Sequence, residues 1–185
     1  MGTESFQSEQ WVPYPVELVF AFFANPSNLL HITPPRLKAR METLRVVPPS
    51  ARPVADDPAR RFQSIAAGVG SELKISFRPF PWFPVRIRWT ARIVEFVWNS
   101  YFADEQVSGL FSRFRHRHGI EPQMRNGMEG TLVSDQVEFA LPGGWLGALA
   151  SGRARRELES QFAARQERLL TILESASRQA RRQRS

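Results

Sequence analysis

The sequence predicts an α+β fold in which one long C-terminal helix lies against a curved antiparallel sheet of about seven strands, with two short helices after the first strand. Three observations carry that expectation. In Phe114-Arg115-His116-Arg117-His118-Gly119-Ile120 the even positions are apolar or imidazole, while Arg113, Arg115 and Arg117 take the odd ones. That is the period-two pattern of a half-buried strand, with both histidines on its inner face. Leu158, Phe162, Leu169 and Leu173 fall at offsets 0, 4, 11 and 15, one apolar stripe on an Arg/Glu/Gln surface. Between Pro15 and Pro35, helical spacing interrupts the strand alternation.

Residues 4–12, with Phe6, Trp11 and Val12, alternate as a first strand that Pro13 and Pro15 end. Val16, Val19, Phe20 and Phe23 then recur at i, i+3, i+4 and i+7, a short amphipathic helix for which Pro15 suits the first position. Asn25-Pro26 supplies cap and first turn of a second short helix through Ile32, closed by Pro34 and Pro35. Residues 37–47 fit a strand. From 48 to 68, Pro48, Pro49, Pro53 and Pro58 stand among Ala, Asp and Arg without periodicity, which predicts a long mobile loop, either disordered or a functional cover. Strands 71–80 and 84–97 follow, joined through Phe80-Pro81-Trp82-Phe83-Pro84, and Ile87, Trp89, Ala91 and Ile93 share one face of the second. Strands 100–107, 113–121 and 130–141 complete the sheet, with Ser108-Gly109 turning the chain back antiparallel. Pro142-Gly143-Gly144 breaks the pattern before a helix over roughly 146–176. Residues 1–176 therefore read as one domain with 48–68 as a flexible insertion, and 177–185 as a basic tail carrying Arg178, Arg181, Arg182 and Arg184.

Composition narrows the function classes. At 185 residues and 42% hydrophobic content, the chain can bury a sizeable core. It has no cysteine, which excludes a disulfide framework, a thiolate metal site and a cysteine nucleophile. The net charge of +7 rests almost wholly on arginine, since Lys38 and Lys74 are its two lysines, and no nucleic-acid motif accompanies it. The tail can touch anionic surfaces without specificity. Residues 1–12 lack the basic start and apolar core of a signal peptide, and no segment is long enough to cross a bilayer, so a cytoplasmic protein is expected. Nothing like GxSxG occurs, and the glycines lie at element ends.

The strongest clue to a ligand is the pair His116 and His118. Phe102-Ala103-Asp104-Glu105-Gln106 carries an acid and an amide at alternate positions, and an antiparallel pairing of 104 with 116 would bring carboxylate and imidazole together. Either face of residues 101–107 could turn inward, because Tyr101, Ala103 and Val107 also suit a core. Asp104 and His116 could simply satisfy one another and fix the register, and His118 could be a half-exposed ring near the strand end. As general base, His116 oriented by Asp104 would suit a cyclase or dehydratase, since a neighbouring carboxylate raises the imidazole pKa. With Asp104 or Asp135 the two histidines could also supply the donor set of an open zinc or iron site. HxH with scattered aspartates is a weak signal, however, and no metal is expected.

The order strand, two short helices, six strands and a long final helix resembles the START-like helix-grip proteins, the SRPBCC superfamily that also holds polyketide cyclases and coenzyme Q-binding proteins. Val19-Phe20-Ala21-Phe22-Phe23-Ala24-Asn25-Pro26-Ser27-Asn28-Leu29 looks like the first helix of that family and its Asn/Asp-Pro break, and Ile32-Thr33-Pro34-Pro35 continues it. Phe102 to Phe111, then Phe114, His116 and His118, then Gly130-Thr131 and Asp135 to Pro142 resemble its small ligand-binding SRPBCC branch. The likeness runs over most of residues 5–172. The proline-rich insertion and the aromatic turn at 80–84 depart from it. It implies a curved sheet gripping the long helix, with a cavity between them for a hydrophobic or aromatic small molecule, and no cofactor. On the family register Asp104, Gln106, His116, His118 and Asp135 point toward that cavity, with Trp89, Phe102, Phe114 and Phe139 as walls. The resemblance leaves three functions open: a binding module, a cyclase or dehydratase on a polyketide-like or aromatic carbonyl compound, and a regulatory scaffold working through the tail and the aromatic turn.

Overall fold

The computed structural model describes residues 3–54, 64–78, 84–143 and 145–182, the side chains of 145–150 and 176–182 excepted. Strand β1 (Glu4–Val12) leads into α1 (Val16–Ala24), a 3-10 turn (Pro26–Asn28), and α2 (Leu29–Ile32). Pro15 stands just before α1 in an extended conformation, one place earlier than the spacing suggests, and Val19, Phe20, Ala21 and Ala24 form the buried face of the helix. The Asn25 side chain accepts the Ser27 N–H at 3.1 Å, so the Asn-Pro pair caps the turn as its residue types predict.

Six further strands follow: β2 (Arg40–Arg45), β3 (Glu72–Phe77), β4 (Ile87–Val97), β5 (Tyr101–Ser108), β6 (Arg113–Arg125) and β7 (Met128–Ala140). They form one antiparallel sheet in the order β1-β7-β6-β5-β4-β3-β2. Strands β2 and β3 are shorter than expected. Strands β6 and β7 are longer, because Asn126 and Gly127, both at positive φ, make a two-residue hairpin pairing Arg125 with Met128. Two positive-φ centres match the twist of the flanking strands, which is why Asn-Gly favours that turn. Register shifts between Thr90 and Ala91 and between Ile93 and Glu95 interrupt the β4–β5 ladder, and such bulges bend a sheet. At Gly130 any side chain would meet the Trp11 ring at 2.4 Å and the Val12 carbonyl oxygen at 2.5 Å, so β1 can close over β7 only on glycine.

Helix α3 (Trp145–Arg182) runs past the expected end at 176 and takes in Arg178, Arg181 and Arg182. Its stripe lies on the sheet as the spacing requires: Phe162, Leu169 and Leu173 are buried, and Leu158 packs at the edge of their cluster. Gln166 holds the helix to β1 through Nε2 donating to Ser8 Oγ at 2.7 Å, and Gln10 Nε2 donates to the Gln166 carbonyl at 3.1 Å. On the α2 side Arg168 donates to the His31 carbonyl at 2.8 Å and Arg36 pairs with Glu157.

Two apolar clusters result. Val12, Val19, Phe20, Phe102, Ile120, Val133, Leu169 and Leu173 fill one end, and Phe6, Phe114, Val137, Phe139 and Phe162 fill the other. The described ends of the 48–68 segment are anchored: Trp98 Nε1 donates to the Ser50 carbonyl at 2.9 Å, and Ala67 N–H donates to the Ala24 carbonyl at 2.9 Å. Residues 55–63, the aromatics Phe80, Trp82 and Phe83, and the end of the basic tail lie outside the described residues. Among those described, no helix is long and apolar enough to cross a membrane.

Candidate functional site

Between the clusters, sheet and α3 stand apart and enclose a cavity of about 250 Å³. Strand alternation sets its walls. Leu73, Ile75 and Phe77 come from β3, Trp89, Ala91 and Ile93 from β4, Phe102 and Asp104 from β5, and Phe114, His116 and His118 from β6. The even face of β5 is therefore the inner one. Helices α1 and α2 close one side with Phe22, Phe23, Leu29 and Ile32, and α3 supplies Leu158, Gln161, Phe162 and Arg165. A mostly apolar cavity with a few polar groups gathered at one place is the usual form of a small-molecule site.

Those polar groups meet where β5, β6 and β7 adjoin. The backbone pairing expected between Asp104 and His116 is present, and His118 faces Asp135 in the same way across β7. The side chains choose differently. His116 Nε2 lies 2.9 Å from Asp135 Oδ1, on the strand opposite Asp104, whereas its Nδ1 stands 3.8 Å from Asp104 Oδ2. The carboxylate bonded to His116 is thus Asp135, which reaches diagonally across one residue pair. His118 Nδ1 lies 2.8 Å from that same Asp135 oxygen, at an angle too bent for a full hydrogen bond, and its Nε2 stands 3.8 Å from Asp104 Oδ2. The two imidazoles are 3.7 Å apart between centroids.

A half-exposed His118 is not what the structure holds. The residue is 4% exposed and stacks on Phe102 at 4.4 Å, with Phe23 5.8 Å away. Burial, helped by the charge of neighbouring His116 and opposed by Asp135, pushes its pKa down to about 3, so the ring is neutral at physiological pH. Burial also acts to raise Asp135, but the contacts from His116 and His118 and the nearby Arg165 outweigh it, and the carboxyl sits well below the ordinary range. Asp104 moves the other way, raised by burial against the attraction of His116 and Arg165.

Of the other expected site residues, Trp89, Phe102 and Phe114 line the cavity, with Trp89 and Phe114 in edge-to-face contact at 4.6 Å. Gln106 and Phe139 do not line it. The Gln106 amide donates to the Phe111 carbonyl at 2.7 Å and accepts the Phe111 N–H at 3.2 Å, which ties the β5–β6 turn. Phe139 is fully buried in the second cluster, against Phe111 at 5.4 Å. Asp135 sits behind the histidines, not on the cavity surface.

A charged residue of the cavity wall escaped sequence reasoning. Arg165 lines the cavity, its guanidinium 5.3 Å from the Phe23 ring centroid and 5.4 Å from that of Phe162. Its buried Nε has no hydrogen-bond partner among the described residues. Its position was legible, since it stands seven residues after Leu158 and four before Leu169, on the apolar stripe itself.

A seven-stranded antiparallel sheet curved around a long C-terminal helix, with short helices after the first strand, is the helix-grip fold. Solved structures share it. The chain is similar to TTHA0849 from Thermus thermophilus, with a TM-score of 0.54 and 17% identity over 91% of this chain and 99% of that one. It is similar to Ara h 8.0201, at 0.56 and 14% over 92% and 99%, and to CV1439 from Chromobacterium violaceum, at 0.57 and 11% over 90% and 96%. Identities this low carry the fold and nothing finer. No family model and no curated protein matches the chain.

Proposed function

We propose that this chain is a small-molecule binding protein of the ligand-binding SRPBCC kind, holding a hydrophobic or aromatic molecule between the sheet and α3. The cavity of about 250 Å³ supports this reading most directly. A dry cavity of about 150 Å³ already takes up benzene, so the space suits a compact molecule of one or two rings. Its apolar walls would bury the rings, and the group at Asp104, His116, His118 and Arg165 would orient a polar end.

The neutral two-ring probe 1-naphthylamine, read at the blue-shifted emission it shows in apolar surroundings, tests this reading. Its fluorescence should rise on saturable one-to-one binding to the chain. Ala91→Trp and, separately, Leu158→Trp, which fill the cavity from opposite walls, should remove that rise while leaving cooperative unfolding intact. A probe signal absent from the natural chain, or unchanged in both filled variants, would defeat the proposal.

A second reading is favoured by one observation, the hydrogen bond between His116 Nε2 and Asp135. Asp135 can orient the imidazole and leave its Nδ1 as a base at the cavity wall, the role expected of Asp104 from strand pairing alone. An aromatic or polyketide-like carbonyl compound would then be cyclised or dehydrated, and His116→Gln would abolish turnover while sparing binding.

A further inference from the structure

We propose that Asp104, His116 and His118 form a site for a divalent first-row metal ion of the zinc kind at the cavity wall, with Asp135 as its outer carboxylate. One ligand atom from each of the three lies within 4.8 Å of the others. Asp104 Oδ2 stands 3.8 Å from His116 Nδ1 and 3.8 Å from His118 Nε2, too far for hydrogen bonds. With metal–ligand lengths of about 2.0–2.1 Å, donors around a tetrahedral zinc stand about 3.3 Å apart. A small rotation of the Asp104 side chain closes that difference to either nitrogen, and a turn of the two rings, whose ligand nitrogens lie within 4.8 Å of each other, completes the set.

The far sides of the rings fix what the near sides present. Asp135 Oδ1 touches His116 Nε2 and His118 Nδ1 at 2.9 and 2.8 Å, distances at which a carboxylate oxygen tolerates only an N–H. In neutral imidazoles the remaining nitrogens, His116 Nδ1 and His118 Nε2, then carry lone pairs. Three acceptors therefore face one another with no donor from the described residues between them, and a cation satisfies all three at once. A carboxylate behind a ligating histidine is the usual outer shell of a metal site, where it sets tautomer and ring orientation. Here one carboxylate serves two rings.

Charge points the same way. Two carboxylates and the Arg165 guanidinium leave this low-dielectric corner with one net negative charge when both imidazoles are uncharged. A divalent ion turns that into a single positive charge. Arg165 repels the ion, but Asp104 and Asp135 together outweigh it. Asp104 lines the cavity and keeps 17% of its side chain exposed, so an open coordination position would face the cavity. Two nitrogens and one carboxylate with an open position are the donor set of catalytic zinc and non-haem iron sites. HxH spacing is by itself a weak signal; the placement of Asp104 and Asp135 around it supplies the rest. The site shares the cavity of the binding reading without depending on it.

Cobalt(II) titration of chelator-treated full-length chain tests the site, because cobalt in a four- or five-coordinate nitrogen and oxygen site absorbs strongly in the visible. One equivalent should develop that spectrum, and zinc should displace it. Asp104→Asn, partly exposed and close in shape, should keep cooperative unfolding and weaken cobalt binding at least 100-fold, as should His118→Gln. Asp135→Asn should weaken it about 10–100-fold, the range for an outer-shell partner. No visible spectrum with stoichiometric cobalt, or the same affinity in Asp104→Asn as in the natural chain, overturns the proposal. 1-Naphthylamine binding in the same samples separates the two readings: probe bound without cobalt keeps the cavity and sinks the metal site, and cobalt bound without probe does the reverse.

Discussion

Asp135→Ala is expected to lower the stability of the metal-free chain by about 1–3 kcal/mol for each buried ring N–H it leaves without an acceptor, the range for an unsatisfied buried donor. Asp135 is 4% exposed and is the nearest acceptor for both imidazoles. Its loss removes the acceptor of the His116 Nε2 hydrogen bond and the bent contact of His118 Nδ1. Asp135→Asn keeps the volume and one acceptor oxygen and should cost about 1–3 kcal/mol, the range for a buried polar group left partly unsatisfied. Urea unfolding followed by tryptophan fluorescence checks both.

The same cluster sets a pH dependence. The Asp135 carboxyl is depressed, so its contribution is fully present above the unfolded value of about 3.9 and is lost as pH falls through its lower folded value. His118 is pushed down to about 3, so between about 6.5 and 3 the unfolded chain takes up a proton that the folded chain refuses. Stability therefore falls with acidification across that window. Asp104, raised, works in the opposite sense above about 3.9 and offsets part of the slope. His118→Phe, which keeps a ring on Phe102, should flatten the profile between about pH 6.5 and 4.

Phe20→Ala should cost about 3–5 kcal/mol, the range for truncating a buried phenylalanine. Phe20 is fully buried at the junction of α1 with the sheet, in edge-to-face contact with Phe96 at 5.4 Å and Phe102 at 6.2 Å, and 5.7 Å from Trp98. The substitution removes the transfer energy of the ring and leaves a void that Leu169 and Leu173 on the rigid α3 cannot fill by moving inward. Phe20→Leu retains most of the apolar volume and should recover more than half of the loss. Coincident urea transitions by fluorescence and circular dichroism would show that the chain still unfolds as one unit.

How much of this was legible follows from what each signal depends on. The inner face of β6 was plain in the sequence because a period-two pattern of arginine against phenylalanine, histidine and isoleucine has no helical reading. The α3 stripe was equally plain at Leu158, Phe162, Leu169 and Leu173. Arg165 shares that stripe, yet a charged residue on an Arg-rich helix reads as surface until packing turns its face inward. Strands expected to end at 121 and resume at 130 left out the outer part of the β6–β7 hairpin that Asn126-Gly127 turns, since the ends of a two-stranded ribbon need no apolar face. Pairing of Asp104 with His116 was readable from strand register. Which carboxylate the imidazole bonds was not, since that depends on side-chain rotamers and on Asp135 arriving from a strand nineteen residues further along the chain. Gln106 alternates in phase with Asp104, so sequence alone could not tell a cavity group from a turn brace.

Whether the space between sheet and α3 holds a small molecule is tested most directly by native mass spectrometry of the chain purified under mild conditions. The expected result is a defined extra mass of roughly 100–250 daltons, the size of a one- or two-ring molecule that a cavity of about 250 Å³ admits, lost on denaturation and absent from Ala91→Trp. The bare chain mass in both proteins, unchanged after incubation with a panel of one- and two-ring aromatic compounds, would contradict it.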